Sequence, residues 1–242
     1  MLFLHPYPHP MDTHPLIDVI IPAVNEEQSI GRVIRDLPGD LVRDIIVCNN
    51  GSTDRTAEVA RHHGAIVIDE PLRGYGNACL AGLAYIRQHR QEDVPDIVVF
   101  MDGDYSDFPG ELPLLIAPIL EGKDMVIGSR VLGPSEAGSL TVPQRFGNWL
   151  ATRLISIFFG FRFTDLGPFR AIRWDKLQKL GMKDKNFGWT VEMQIKALRH
   201  QLSCTEVPVS YRKRIGTSKV SGTIWGSVRA GHKILWTIFK SV

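Results

Sequence analysis

The chain has 242 residues, enough for one large domain or two small ones. Its 28 Lys plus Arg against 26 Asp plus Glu leave a net charge of +2, which gives no case for a nucleic-acid partner. A hydrophobic share of 44% and a charged share of 22% are ordinary for a globular protein, and three widely spaced cysteines fit neither a disulfide scaffold nor a zinc ribbon.

Residues 1–14 hold three histidines each followed by proline, with no basic segment leading into an apolar core. They read as a flexible N-terminal segment and not as a signal peptide. Residues 15–242 read as a single domain, because no linker rich in Ser, Pro or Gly divides them. No apolar run approaches the roughly 18 to 20 residues needed to span a bilayer.

"LIDVIIPAVNEE" is a β-rich run closed by Pro22 and a polar loop, and "SIGRVIRDL" has Ile30, Val33, Ile34 and Leu37 at helical spacing. "DIIVCNN" is a short strand. The helix in "GSTDRTAEVARHHG" is capped by Ser52 or Thr53 and stopped by Gly64. "AIVID", "GYGNACLAGLAYIRQ", "DIVVFMD", "ELPLLIAPILEG" and "DMVIGSR" continue as strand, helix, strand, helix and strand. After Arg130 the rhythm changes. A loop precedes "RFGNWLATRLISIFFGF", which carries Phe146, Leu150, Leu154 and Ile157 on one stripe. "GPFRAIR" reads as a strand, "GWTVEMQIKALRH" as a helix and "TEVPVSY" as a strand. "RKRIGTSKVSG" is a basic loop, and "TIWGSVRAGHKILWTIF" a final helix.

This alternation predicts an α/β fold with a mostly parallel central sheet and helices on both faces. Such sheets bind ligands outside the carboxyl ends of their strands. The polar groups Asn25-Glu26-Glu27, Asn49-Asn50-Gly51-Ser52, Glu70 and Asp102-Gly103-Asp104 would all crowd one rim. Asp102 and Asp104, separated by Gly103, suit a hard cation that also holds substrate phosphates. Of the basic residues, Arg130 after a strand and Lys219 in a loop are the better phosphate contacts. "RGYG", with Gly74, either follows a nucleotide or is a tight loop. Glu192 is either a general base or an ordinary helical glutamate. No Gly-x-Ser-x-Gly elbow supports a nucleophilic triad, and there is no dinucleotide or P-loop signature.

Taken in order, "VIIPAVNEE", "VCNNGSTDRT", "EPLRGYGNA", "FMDGDYSDFPGEL", "IGSR", "TDLGPFRAIR", "GWTVEMQIKA" and "VPVSYRKRIGTSKVSG" resemble the GT-A fold, family-2 inverting glycosyltransferases, in the dolichyl-phosphate mannose/glucose synthase branch. The resemblance implies a nucleotide-diphospho-sugar donor and Mg²⁺ or Mn²⁺ on Asp102 and Asp104. It places Pro22, Asn25, Glu26, Asn50 and Asp54 at the donor, and Arg130, Arg170, Arg214 and Lys219 on phosphates. It puts Glu192 near the position of a catalytic base. It also implies transfer to a polyprenyl phosphate or related acceptor, the alternatives being a soluble hydroxyl acceptor or a non-catalytic nucleotide-sugar-binding protein. Two departures stand out. Asn49-Asn50 replaces a common Asp pair, and Tyr105, Ser106 and Asp107 stand where that branch carries Gln and His. Asp107 is a further candidate acidic ligand. The implied location is cytoplasmic. The ring-bearing helices 146–161 and 224–239, with Arg and Lys flanks, suit either peripheral contact with the inner membrane face, or core packing and a homodimer surface.

Overall fold

The computed structural model describes residues 15–217 and 224–241. The first half alternates as read: β1 (Ile17–Ala23), α1 (Ile30–Asp36), β2 (Val42–Asn49), α2 (Thr56–His62), β3 (Ile66–Asp69), α3 (Tyr75–His89), β4 (Ile97–Phe100), α4 (Leu112–Leu120) and β5 (Met125–Ser129). The second half adds α5 (Val142–Phe159), β6 (Arg170–Arg173), α6 (Trp174–Leu180), α7 (Trp189–Arg199), β7 (Cys204–Pro208) and α8 (Ile224–Lys240). Seven strands form one sheet in the order β3-β2-β1-β4-β6-β5-β7.

The apolar runs of β1 and β4 lack polar alternation because both faces of these strands are covered. Ile20, Val98 and Phe100 face one core, shared with α3, α5, α6 and α7. Ile17, Val19, Ile21, Ile97 and Val99 face the other, shared with α1 and α4. Strand geometry dictates this division, since successive side chains point to opposite faces. Each fully buried Ile, Val or Phe contributes about 1.5–3 kcal/mol.

One strand breaks the parallel rule. β6 runs antiparallel between β4 and β5, with Arg170 opposite Phe100 and Arg173 opposite Ile97. The remaining pairings, β1 with β2 and β4, β2 with β3, and β5 with β7, are parallel. The chain therefore leaves β1 on one side for β2 and β3 and returns on the other for β4. That reversal opens a crevice at the carboxyl ends of β1 and β4, the place where open α/β sheets bind ligands.

Two local expectations are revised. Helix α2 begins at Thr56, and its first turn is closed by Asp54, whose carboxylate accepts from Thr56 N at 3.0 Å. Ser52 Oγ instead accepts from Asn25 N at 3.0 Å. In α5, started by a Thr141–Gln144 capping box, the buried face is Ala151, Thr152 and Ile155. Of the expected stripe, Phe146 and Ile157 are 60% and 63% exposed, beside Trp149 at 58%. On α8, Trp236 and Phe239 are exposed while Ile238 is buried, and Phe239 meets Phe158 edge-on at 5.9 Å. Among the described residues no helix is long and apolar enough to cross a membrane.

Candidate donor and cation site

Strand β1 delivers Pro22, Asn25 and Glu26 to the rim, and β4 delivers Asp102, Gly103 and Asp104 beside them. Asn25 adopts φ 53°, a left-handed turn that asparagine tolerates. Its Oδ1 accepts from Thr53 N at 2.8 Å. Asp54 Oδ2 accepts from Glu27 N at 3.2 Å, and Thr56 Oγ1 accepts from Glu26 N at 2.7 Å. Burial would raise the Asp54 carboxyl, but its hydrogen bonds to Thr56 and Glu27 outweigh that and hold it below the usual carboxylate range. The two loops are thus sewn together, and a cleft between them is lined by Asn25, Glu26, Asp54, Ile215 and Gly216.

Arg214 ties the two sides of the crevice. Its guanidinium reaches Glu26 Oε1 at 2.7 Å and Asp104 Oδ2 at 3.1 Å. The other Asp104 oxygen accepts from Ser106 N at 2.9 Å and from the Ser106 hydroxyl. Arg214 is delivered by a segment laid along the 102–107 loop, where Arg212 N donates to Ser106 O and Ile215 N to Asp104 O, both at 3.0 Å. Arg212 itself stacks on Tyr105 and Phe108 and donates to the carbonyls of Tyr105 and Asp107. Asp102 is pushed up to about 7, first by burial and then by the Asp104 charge, with Arg214 and Tyr75 opposing. Tyr75 and Arg212 were not read as site residues from the sequence, since neither lies in a pattern that marks its partner.

The oxygen-only donors of Asp102 and Asp104 fit a hard divalent ion, and Arg214 is paired with Glu26 and Asp104 beside them. Arg130 is already committed: its Nε and Nη2 grip Asp165 at 2.8 and 2.7 Å, over the ring of Tyr211. Among the described residues no three His, Cys, Asp or Glu groups converge into a ready ligand cage. A cation held here would therefore keep several waters, as Mg²⁺ and Mn²⁺ sites commonly do.

Four sequence expectations need correction. Arg170 is fully buried, and its guanidinium donates to the carbonyls of Leu166, Gly167 and Thr190, so it is not presented to a phosphate. Burial pushes it down to about 10. Glu192 accepts from Lys183 N and Asp184 N and pairs with Lys196 Nζ at 2.7 Å, which commits it to holding the 183–184 loop. Asn50 spends its side chain on Glu70 O, Leu72 O and Gly74 N. Gly74 cannot offer that amide to a nucleotide. The next amides of the α3 N-terminus, Gly76 and Asn77, donate to Asn186 O and Lys185 O. "RGYG" is thus a tight loop under the 184–186 segment. Lys219 lies outside the described residues, as does the segment 1–14.

Residues 18–182, more than half of the chain, match the family described as Glycosyl transferase family 2. An uncharacterized glycosyltransferase of Mycobacterium tuberculosis is 34% identical over 223 residues, covering 88% of this chain and 94% of the relative. A dolichyl-phosphate hexose transferase of Haloferax volcanii is 34% identical over 210 residues, covering 84% and 85%. Among solved structures, glucosyl-3-phosphoglycerate synthase of M. tuberculosis in complex with Mn²⁺, UDP-glucose and phosphoglyceric acid superposes with a TM-score of 0.72 at 23% identity, over 94% of this chain and 79% of that one.

That superposition bears out the GT-A fold, with a mixed rather than wholly parallel sheet. The expectation of a family-2 glycosyltransferase holds too, and Mn²⁺ is the ion in the matched synthase complexes. The finer expectation is corrected. The matched structures include glucosyl-3-phosphoglycerate synthase bound to phosphoglyceric acid and to glycerol 3-phosphate, neither of them a polyprenyl phosphate. The dolichyl-phosphate mannose/glucose synthase branch, and transfer to a polyprenyl phosphate with it, are withdrawn.

Proposed function

The chain belongs to glycosyl transferase family 2, and from that premise we propose that it moves a sugar from a uridine-diphosphate sugar to a hydroxyl of a small, soluble, anionic acceptor. The observation that carries the reading is the pair Asp102 and Asp104 facing Glu26 across the crevice between β1 and β4, with Arg214 held between them. The matched synthase, with its UDP-glucose and phosphorylated small molecules, supports the classes of donor and acceptor.

Asp102 and Asp104 would hold the divalent cation, which supplies positive charge to the departing diphosphate. The loops at Asn25, Glu26 and Asp54 line the cleft that would take the base and ribose. Arg214 brings a planar, permanently charged fork to the diphosphate once it gives up a carboxylate. The acceptor hydroxyl oxygen bonds to the anomeric carbon as the bond from that carbon to the phosphate oxygen breaks; the hydroxyl proton passes to water, and the electron pair of the broken bond leaves on the diphosphate. A single displacement of this kind inverts the sugar configuration.

The test is a product-mass screen of uridine- and guanosine-diphosphate sugars with Mn²⁺ against phosphorylated three-carbon acceptors and a lipid extract. A glycosylated soluble product is expected, formed from a uridine-diphosphate donor. Product in the lipid arm alone, or none in any arm from folded enzyme, would overturn the proposal.

A further inference from the structure

Asp107 is 1% exposed, and neither of its carboxylate oxygens has a hydrogen-bond partner. An unsatisfied buried carboxylate is costly, on the order of several kcal/mol, and native structures rarely keep one without use. Its backbone explains why it stays in place. The residue bridges Tyr211 across an antiparallel contact, and its carbonyl accepts from Arg212 Nη2 at 3.1 Å. Burial first, and then the charges of Asp102 and Asp104, push the carboxyl well above the ordinary range. Arg130, which opposes that shift, is already gripped by Asp165.

We propose that Asp107 is a third carboxylate of the cation site, acting on the ion through its bound water. The inference rests on the reading of Asp102 and Asp104 as the cation ligands. Direct ligation does not follow, because no three acidic groups among the described residues converge as a cage. An ion that keeps several waters places water O–H groups around itself, and each needs an acceptor. Asp107 offers two free oxygens at a depth where bulk solvent cannot serve them. Asp107 is thus a positioning residue for the metal.

Titration of the full chain with Mn²⁺ alone, reading the free ion by electron paramagnetic resonance, tests this without turnover. Wild type should bind, Asp102→Asn should lose binding, and Asp107→Asn should bind roughly 10- to 100-fold more weakly, the range for outer-sphere partners. The conservative Asp107→Asn should melt no lower than wild type when no ion is present, since the carboxyl oxygens have no hydrogen bond to lose. A folded Asp107→Asn with wild-type Mn²⁺ affinity overturns the inference while leaving the Asp102 reading intact. Absence of Mn²⁺ binding by wild type sinks that underlying reading instead. Asp107→Ser is the second variant. If both variants fail to fold with and without Mn²⁺, Asp107 is a structural group and the inference is overturned.

Discussion

Arg214 and Asp104 lie 3.1 Å apart, joined by an ion pair that also reaches Glu26 at 2.7 Å. One guanidinium therefore spans both walls of the crevice, and it comes from a segment far along the chain. Arg214→Ala should lower kcat/KM by about 100-fold, the magnitude typical of losing one stabilising donor at a developing charge. Arg214→Lys should recover only part of this, because an ammonium cannot fork across two carboxylates. Steady-state kinetics with a uridine-diphosphate sugar would check both.

Chelation of the divalent ion should abolish transfer, and added Mn²⁺ should restore it. Asp102→Asn and Asp104→Asn should be inactive at any Mn²⁺ concentration while retaining the wild-type circular dichroism spectrum. Activity in chelator would count against the cation reading of the site.

Arg170 distinguishes a structural from a phosphate-binding role. Its three carbonyl partners predict that Arg170→Lys destabilises the fold by on the order of 3 kcal/mol, because buried acceptors are left unpaired. Urea denaturation would read the loss directly. A residue that served only the donor would instead raise its KM at unchanged midpoint.

Two helical glycines should respond with opposite sign. A Cβ on Gly76 would lie 1.9 Å from the carbonyl oxygen of Asp184, so Gly76→Ala should cost about 1–3 kcal/mol despite alanine's better helix propensity. Gly147, inside α5, has nothing within 4 Å of its Cβ position. Gly147→Ala should stabilise by about 0.5–1 kcal/mol. Melting temperatures of the two variants decide it.

Asp124 fixes a pH dependence. Burial would raise its carboxyl, but the amide and hydroxyl of Ser203 and the charge of Lys176 outweigh that and lower it. A depressed folded value means the contribution is complete above the unfolded value of about 3.9 and is lost as pH falls through the folded one. Asp124→Asn should therefore destabilise at pH 7, and its difference from wild type should shrink steadily below about pH 4. Denaturant midpoints from pH 2.5 to 7 would trace the convergence.

Much of this was legible in the sequence. Strands β1 to β5 follow from β-branched runs between turn residues, and the crowding of Asn25, Glu26, Asp102 and Asp104 follows from parallel topology alone. The antiparallel direction of β6 did not, because four residues, "RAIR", carry no mark of orientation. Nor did the burial of Arg170 and the commitment of Glu192. A charged residue looks the same in a string whether it faces a ligand or a backbone carbonyl, and only the fold shows that Leu166, Gly167 and Thr190 surround one and the 183–184 loop the other. The Arg130–Asp165 pair was missed for a related reason: its partners are 35 residues apart and joined by no periodic pattern.

The position of β6 also governs the order in which the molecule can assemble. β5 borders only β6 and β7, so during synthesis it emerges with no sheet neighbour, and it waits some forty residues for Arg170–Arg173. The three-strand platform β1–β3 and β4 can close early, whereas β5, the strand leading into Arg130, docks last with its late-made neighbours. Nascent chains halted before residue 170 should expose the apolar edge of β4 and draw chaperones, and chains halted beyond residue 208 should not.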